Sequence, residues 1–387
     1  MFPLHLFSLL SIIQILEMLK SLHRRVFESI TFNTAAASHD HLLTFCSQDC
    51  FSIFNAFTLK RSTYRFETSS RCNAVDFAEN EGQVFLSGDF DGTMRIWDVR
   101  NPRKPTSVSE AGRNFLPKGG AFNTAAISSN GRYICAGTNT IKGKRKITNS
   151  KLGPEPKRHL LEQSAQEENG EDSSCGESSS PVYILCWDTR QMIQPLLILD
   201  DIHSDEVNHI GFEKGSSRFL SAADDCLVCL TDINAPSDDR LVDTFNAESP
   251  VNLCDFLGSK DGVYAFSNMH SRFSAWPLDL EADVSEWKKL KQPAAARFLL
   301  SAFRLPTPEP SVCLLSTSAV KQDLRLSVVK PGDAQIVVKT RLFKKESKLE
   351  SDAFYARVVA PIQSSDDLFG ILMVTKHSVQ RLQARLS

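Results

Sequence analysis

The chain lacks an excess of charge of either sign. Its 387 residues carry 44 Lys and Arg against 46 Asp and Glu, a net charge of −2, which excludes a general polyanion-binding surface and makes nucleic acid an unfavoured partner. Its 18 Gly and 17 Pro are too few for a collagen-like chain or one made mostly of linker. No Asn is followed two places on by Ser or Thr. This absence of glycosylation acceptors favours an intracellular protein, cytoplasmic or nuclear.

Catalytic and metal motifs are lacking as well. The sequence has no H-E-x-x-H helix and no G-x-S-x-G elbow. The stretch from Gly137 to Lys144 approaches a phosphate-binding loop, but its spacing is one residue too long and Arg145 stands where Ser or Thr would hold magnesium. We therefore predict no enzyme activity, no cofactor and no metal site. A hydrolase whose residues meet only in the folded chain is the alternative.

The ten cysteines do not form a metal-binding pattern. Most lie inside apolar runs, as Cys135 and Cys186 do, where a free thiol behaves as a small buried hydrophobe. The only C-x-x-C is Cys226-Leu-Val-Cys229. On a strand, positions three apart point to opposite faces, so this pair cannot share a zinc ion.

The N-terminus is strongly apolar over residues 2–19. It has neither the basic start nor the small-residue cleavage site of a signal peptide, and His5, Gln14 and Glu17 interrupt a membrane span. The spacing of its apolar residues predicts a helix within an extension of residues 1–23. Such a helix packs on the body of the protein, meets a partner or lies on a membrane surface through residues 1–20, or it has no role.

Beyond residue 30 helical periodicity is almost absent, and the chain is composed of short strands. Asp91-Gly92, Asn130-Gly131 and Asp261-Gly262 separate pairs of such strands. These dipeptides predict two-residue hairpins in which both central positions have positive φ. Many short strands joined by regular turns indicate an all-β sandwich, barrel or propeller.

The spacing of one tripeptide chooses among these architectures. Ile96-Trp97-Asp98 recurs as Cys186-Trp187-Asp188, as Leu230-Thr231-Asp232 and as Ala275-Trp276-Pro277. Once a polar insertion at residues 140–181 is set aside, the repeat is about 44 residues, the period of propeller blades. Seven units are predicted, with starts near residues 32, 72, 122, 203, 250, 297 and 354. The last has only three clear strands, so we expect a strand at 24–30 to supply its fourth and close the ring.

These repeats resemble those of the WD40-repeat family. The residues that carry the resemblance are Ala136-Gly137-Thr138, Cys186-Trp187-Asp188-Thr189-Arg190, Asp201-Ile202-His203-Ser204-Asp205-Glu206-Val207 and Thr231-Asp232-Ile233. The resemblance implies a seven-bladed β-propeller over residues 24–387 that acts as a scaffold for binding other proteins through its rims and loops. It also implies blade-stabilising hydrogen bonds from Ser87 and Asp91 with Trp97 in the second unit, and from His203, Ser221 and Asp225 in the fourth, where Thr231 replaces Trp.

Two W-D-x-R boxes are candidate partner-binding sites. They are formed by Trp97, Asp98 and Arg100, and by Trp187, Asp188 and Arg190. They resemble boxes in substrate receptors of cullin-4-type RING ubiquitin ligases, where the arginine would contact the adaptor. The alternative is that each arginine is solvated or paired with a neighbouring acid.

The insertion divides into halves of opposite charge. Residues 142–158 hold seven basic residues and one acid, whereas 162–177 hold six acids and no base. Such a segment cannot bury enough apolar surface to fold, so the sequence predicts one long disordered loop. Its run Lys142, Lys144, Arg145 and Lys146 resembles a nuclear-import patch. Nucleic-acid contact, phosphorylation of its serines and a simple solvated insertion are the other interpretations.

Overall fold

A computed structural model describes most of the chain from residue 20 onward. The described residues are 20–26, 32–37, 41–46, 50–56, 58–68, 70–78, 82–116, 120–139, 181–258, 262–267, 272–278, 297–304, 312–318, 324–329, 340–341, 353–359, 368–375 and 378–385. Almost all of the expected insertion, together with its import patch at Lys142, Lys144, Arg145 and Lys146, lies outside them, as does the expected helical part of the N-terminus at residues 1–19.

Antiparallel strands dominate the described residues, and the two helices among them are short 3-10 turns at Ala111–Asn114 and Ser237–Asp239. The first strand, β1 (Lys20–Val26), belongs to the last sheet. The first sheet contains β2 (Phe32–Ala37), β3 (His41–Cys46), β4 (Cys50–Asn55) and β5 (Arg61–Glu67), and the second contains β6 (Cys72–Phe77), β7 (Val84–Asp89), β8 (Met94–Asp98) and β9 (Ser107–Ser109). The third contains β10 (Phe122–Ile127), β11 (Tyr133–Thr138), β12 (Ile184–Asp188) and β13 (Leu197–Leu199).

The remaining sheets continue the same pattern. They contain β14 (Val207–Phe212), β15 (Arg218–Ala223), β16 (Leu227–Asp232) and β17 (Leu241–Asn246); β18 (Leu253–Gly258), β19 (Gly262–Ser267) and β20 (Arg272–Trp276); β21 (Arg297–Arg304), β22 (Val312–Ser318), β23 (Leu324–Val329) and β24 (Thr340–Arg341); and β25 (Ala353–Val359), β26 (Leu368–Thr375) and β27 (Ser378–Arg385) with β1. These sheets start within a few residues of the predicted units.

The first strand of each sheet lies against the first strand of the next. This succession runs from β2 through β6, β10, β14, β18 and β21 to β25, and β25 in turn lies against β2. Several antiparallel sheets in this succession, with almost no helix among the described residues, are consistent with a β-propeller.

The strand that joins the last sheet begins earlier than expected. The sequence predicted an extension to residue 23 and a closing strand at 24–30, whereas β1 spans Lys20–Val26 and pairs antiparallel with β27, from Lys20 opposite Gln383 to Val26 opposite Ser378. The expected boundary is therefore wrong by four residues. The spacing of the apolar residues predicted an extension up to residue 23, whereas the strand that pairs with β27 already begins at Lys20.

The expected two-residue hairpins are also corrected. Among the described residues, Gly92 and Gly131 have φ of 78° and 71°, but Asp91 and Asn130 do not have positive φ. Gly92 N–H donates to the carbonyl of Asp89 (3.1 Å). Each connection is therefore a tight turn followed by a glycine in the left-handed conformation, and only this glycine has a positive φ. Asp261 lies outside the described residues.

The described part of the core is a series of apolar layers between neighbouring sheets, from the first to the sixth. Phe51, Phe66, Phe85 and Trp97 pack between the first two sheets. Leu86, Phe122 and Trp187 belong to the layer between the second and third. Similar layers follow between the third and fourth, the fourth and fifth, and the fifth and sixth sheets. Each sheet therefore depends on its neighbours for burial.

Within the described residues, no helix has the length and apolarity needed to cross a bilayer.

Candidate interaction surface

The first W-D-x-R box ends strand β8 and exposes its arginine. Trp97 is buried against the first sheet, with 2% of its surface exposed, and anchors the box. Arg100 donates from Nε to Asp98 Oδ1 (2.9 Å) and from Nη2 to Asp98 Oδ2 (2.6 Å), while its side chain stays 67% exposed. The hydrogen bonds from Arg100 hold the pKa of Asp98 below its ordinary value. The guanidinium is therefore oriented by its own box and remains open to solvent.

The second box repeats this geometry at the end of β12. Arg190 donates from Nε to Asp188 Oδ1 (2.9 Å), its Nη2 lies 2.5 Å from Oδ2, and it is likewise 67% exposed. Arg132 reaches the same carboxylate from Nε (3.3 Å). The hydrogen bonds from Arg190, with that from Arg132, keep the pKa of Asp188 well below its usual range. Two guanidinium groups thus share one carboxylate, and the cluster carries a net positive charge.

Both boxes lie at the same edge of two adjacent sheets. In an antiparallel sheet the third strand ends on the same side as the turn between the first and second strands. We call this end of the two sheets, which carries Arg100 and Arg190, the box edge. Each box closes through a β-bridge, Asp98 to Asn101 and Asp188 to Gln191. Each arginine is therefore paired with a neighbouring acid and also exposed, and its contact with a partner stays a prediction.

The second sheet contains part of the expected hydrogen-bond set. Trp97 Nε1 donates to Ser87 Oγ (3.0 Å), and both side chains are buried. Asp91 lies outside this pair: its carboxylate accepts from the Thr93 backbone N–H (3.1 Å) and from Arg113 Nη2 (2.9 Å). Asp91 therefore fixes a turn, while Ser87 and Trp97 fix the interior of the sheet.

The fourth sheet brings together the other three predicted residues. His203 Nδ1 lies 2.9 Å from Asp225 Oδ2, and His203 Nε2 lies 2.8 Å from Ser221 Oγ. Burial acts to raise the pKa of Asp225, but the hydrogen bond and charge of His203, with two backbone N–H groups, outweigh it and leave the pKa below its ordinary value. An ionised Asp225 requires Nδ1–H as the donor; in a neutral imidazole Nε2 then accepts from the Ser221 hydroxyl, and in a charged one Nε2–H donates to Ser221 Oγ.

This Ser-His-Asp order resembles a catalytic triad, but its position does not suit catalysis. Ser221 is 0% exposed and the His203 side chain is 1% exposed. A substrate carbonyl cannot approach a nucleophile enclosed between sheets. Cys254 is also unsuited, because burial raises the pKa of its thiol well above the ordinary value despite His209 Nδ1 at 3.8 Å. No group of three or more metal-ligating side chains occurs within the described ranges.

Sequence reasoning missed a recurrent asparagine. Asn123 and Asn208 occupy bulges near the start of β10 and β14. Asn123 Nδ2 donates to the Val207 carbonyl of the next sheet (3.0 Å). Asn208 Nδ2 donates to the carbonyl of Val251 (3.0 Å), which lies just before β18. The signal was available, since Phe-Asn-Thr-Ala-Ala occurs at residues 32–36 and again at 122–126.

A disulfide was not expected either. Cys135 of β11 and Cys186 of β12 stand opposite each other and are bonded, although both were interpreted as free buried thiols. The apolar run around each residue indicates burial but carries no information about cross-strand register, which is what brings the two together. Cys226 lies in the turn before β16 and Cys229 within it, and both are free thiols.

Comparison with known families agrees with this geometry. A family described as WD domain, G-beta repeat matches residues 60–98, which therefore form a WD40 repeat. The match covers β5 of the first sheet and β6, β7 and β8 of the second, so the sequence repeat is offset by one strand from the sheet. No curated protein matches the chain.

Proposed function

We propose that the protein is a non-enzymatic scaffold that binds other proteins. WD40 repeats generally mediate such interactions. The observation that carries the proposal is the repeated box edge, where Arg100 and Arg190 are held by Asp98 and Asp188 in the same geometry and are equally exposed. An oriented arginine loses less side-chain entropy on binding than a free one, which suits it to an interface.

The proposal includes a closed seven-bladed propeller. It is supported by the succession of first strands from β2 to β25 and by the pairing of β1 with β27. Pairing β1 with β27, the first and last described strands, in one sheet would lock the ring and leave no long open edge at the junction.

The test is affinity purification of the full chain followed by mass spectrometry. Arg100→Ala with Arg190→Ala is expected to reduce recovery of specific partners at least about tenfold. Arg103→Ala is the matched control, because Arg103 is exposed in the connection that follows the first box but is not part of it. Unchanged partner recovery in the double variant would refute the role of the box edge.

A narrower candidate is a substrate receptor of a cullin-4-type RING ubiquitin ligase. It is favoured by the presence of two W-D-x-R boxes in adjacent sheets. The purified adaptor is then expected to bind the wild-type chain directly and to bind the Arg100→Ala/Arg190→Ala variant much more weakly. Absence of binding to the wild type would exclude this candidate and leave the general scaffold role in place.

Location and the N-terminus extend the proposal. We infer an intracellular protein, cytoplasmic or nuclear, whose Lys142, Lys144, Arg145 and Lys146 direct nuclear import. Replacing these four residues by Gln should shift a fluorescent fusion toward the cytoplasm, and an unchanged distribution would refute the import role. Liposome co-sedimentation with and without residues 1–20 tests the membrane alternative.

A closer resemblance to one WD40-repeat protein is part of the same proposal. Residues 137–233 resemble WD repeat-containing protein 89, most specifically in His203-Ser204-Asp205-Glu206-Val207 after the second box. An alignment in which that segment and both boxes fail to coincide would reject it.

A further inference from the structure

The outermost strand of the third sheet and the residues just before it expose several aliphatic side chains. Six large hydrophobic side chains are exposed among those that the structure describes: three lie in β13 or just before it, two in β17 (Leu241, 45%, and Val242, 48%) and one in β9. They are Ile193, 76% exposed, Leu196, 52% exposed, and Ile198, 45% exposed. The equivalent strand of the second sheet, β9, has one, Val108. Exposed aliphatic side chains are therefore more numerous in β13 and the residues just before it than in β9 or β17.

This edge is only partly protected, because β13 is short and Pro195 precedes it but no other described strand covers it. β13 pairs with β12, and no other described strand pairs with it. Exposed edges in soluble proteins are normally blocked by Lys, by Pro within the strand or by a bulge. β13 is Leu197-Ile198-Leu199 and has none of these. A strand added at this edge would pair with the outer backbone groups of β13.

The two ends of this edge differ in charge. Before β13 lies the cluster of Arg132, Asp188 and Arg190, in which two guanidinium groups share one carboxylate. Directly after β13, Asp200 and Asp201 are both exposed. A strand bound along β13 would therefore meet positive charge at one end and negative charge at the other.

We propose that β13 binds an extended segment of a partner protein. The segment has aliphatic side chains at alternate positions, acidic residues at the end near Arg190 and basic residues at the end near Asp200. Alternate positions share one face of a strand, so its aliphatic residues can cover Leu196 and Ile198. The inference rests on the proposed scaffold role and adds to it a second site and the chemistry of its ligand.

The size of the patch favours a peptide segment over a second copy of the chain. Stable dimers bury about 800 Å² on each partner, whereas three partly exposed aliphatic side chains offer only a few hundred. A short strand with backbone hydrogen bonds and complementary end charges fits this smaller area.

The test uses synthetic peptides and the full chain. One fluorescent peptide has Val or Ile at alternate positions, with Glu at its amino end and Lys at its carboxyl end. A second reverses the charges, and a third replaces the aliphatic residues by Ser. Because the direction of the added strand decides which charge order fits, one of the first two should bind in fluorescence anisotropy and the third should not. Raising the salt concentration should weaken that binding.

Ile198→Lys is expected to reduce this affinity about tenfold or more, because it places a solvated charge at the centre of the edge. Val108→Lys is the matched control, since Val108 opposite Arg95 corresponds to Ile198 opposite Leu185, and it should leave binding within about twofold. Thermal melts verify that both variants fold.

Several outcomes would overturn the proposal. They are failure of both charged peptides to bind the wild type, an equal loss in both lysine variants, a dimer in light scattering that Ile198→Lys abolishes, and a cross-link from position 198 to another segment of the same chain. The assay does not depend on partner recovery with Arg100→Ala, so the scaffold role and the β13 site can each fail alone.

Discussion

The two buried tryptophans of the second and third sheets allow a reciprocal test of one hydrogen bond. Trp97 stands opposite Phe85, and Ser87, two residues further along β7, accepts its indole N–H at 3.0 Å. Trp187 stands opposite Ile134, and the position two residues further holds Ala136. The indole Nε1 of Trp187 is buried with no partner among the described residues. One sheet thus has the acceptor that the other lacks.

Ser87→Ala leaves the indole N–H of Trp97 unsatisfied in a site that is 0% exposed at Ser87. An unsatisfied buried donor costs about 1–3 kcal/mol. Part of this cost is offset because an Ala side chain is buried more favourably than a Ser side chain. We expect a net loss of about 1–2 kcal/mol. Ala136→Ser supplies the missing acceptor to Trp187, and a new buried hydrogen bond contributes about 1 kcal/mol. The added oxygen must fit beside a residue that is 0% exposed, so the expected gain is about 0.5 kcal/mol.

The assay is urea unfolding followed by tryptophan fluorescence, with the midpoint compared at equal slope. Ser87→Ala should lower the midpoint, Ala136→Ser should raise it, and the double variant should show the sum because the two pairs lie in different sheets. A neutral Ser87→Ala, or an Ala136→Ser that destabilises as much as Ser87→Ala, would refute the assigned hydrogen bond and the equivalence of the two positions.

Three further predictions concern turns, pH and redox state. Cys226 has φ of 70°, matching Gly92 at 78°, so Cys226→Gly should stabilise the protein by up to about 1 kcal/mol in urea unfolding; a marked destabilisation would contradict this. Because the pKa of Asp225 is lowered in the folded state, its ionised form contributes stability above the unfolded pKa of about 3.9, and that contribution is lost as pH falls through the folded value. Asp225→Asn should therefore be less stable than the wild type at neutral pH, with the difference shrinking in acid melts; a constant difference would argue against the linkage. Peptide mapping without reductant should recover Cys135 linked to Cys186, and two free thiols there would contradict the bond.

The unit starts were predictable because each unit repeats one short pattern of strands and turns. The sheets start at Phe32, Cys72 and Phe122 where the period placed them. The exact turn geometry was not predictable from the dipeptides alone, since the same residues serve a two-residue hairpin and a turn with one left-handed glycine. Asp91-Gly92 is an example, because hydrogen bonding decides which form is adopted.

The parts of the site that involve partners across the fold were harder to predict. The two boxes could be recognised because Asp98 and Arg100 are two residues apart and act locally. The sharing of Asp188 by Arg132 joins residues far apart in sequence, and it depends on the register of β11 with β12. His203, Ser221 and Asp225 were found through resemblance, while Asn123 was missed because its partner belongs to the next sheet.

The bond between Cys135 and Cys186 spans 51 residues of sequence and joins the two strands on either side of the charged insertion. A protease that cuts between residues 140 and 180 would therefore produce two fragments that remain covalently linked until a reductant separates them. The insertion could be nicked, trimmed or replaced by a tag while β11 and β12 stay tethered across their shared hydrogen bonds. The third sheet is thereby a natural place for this chain to accept new sequence.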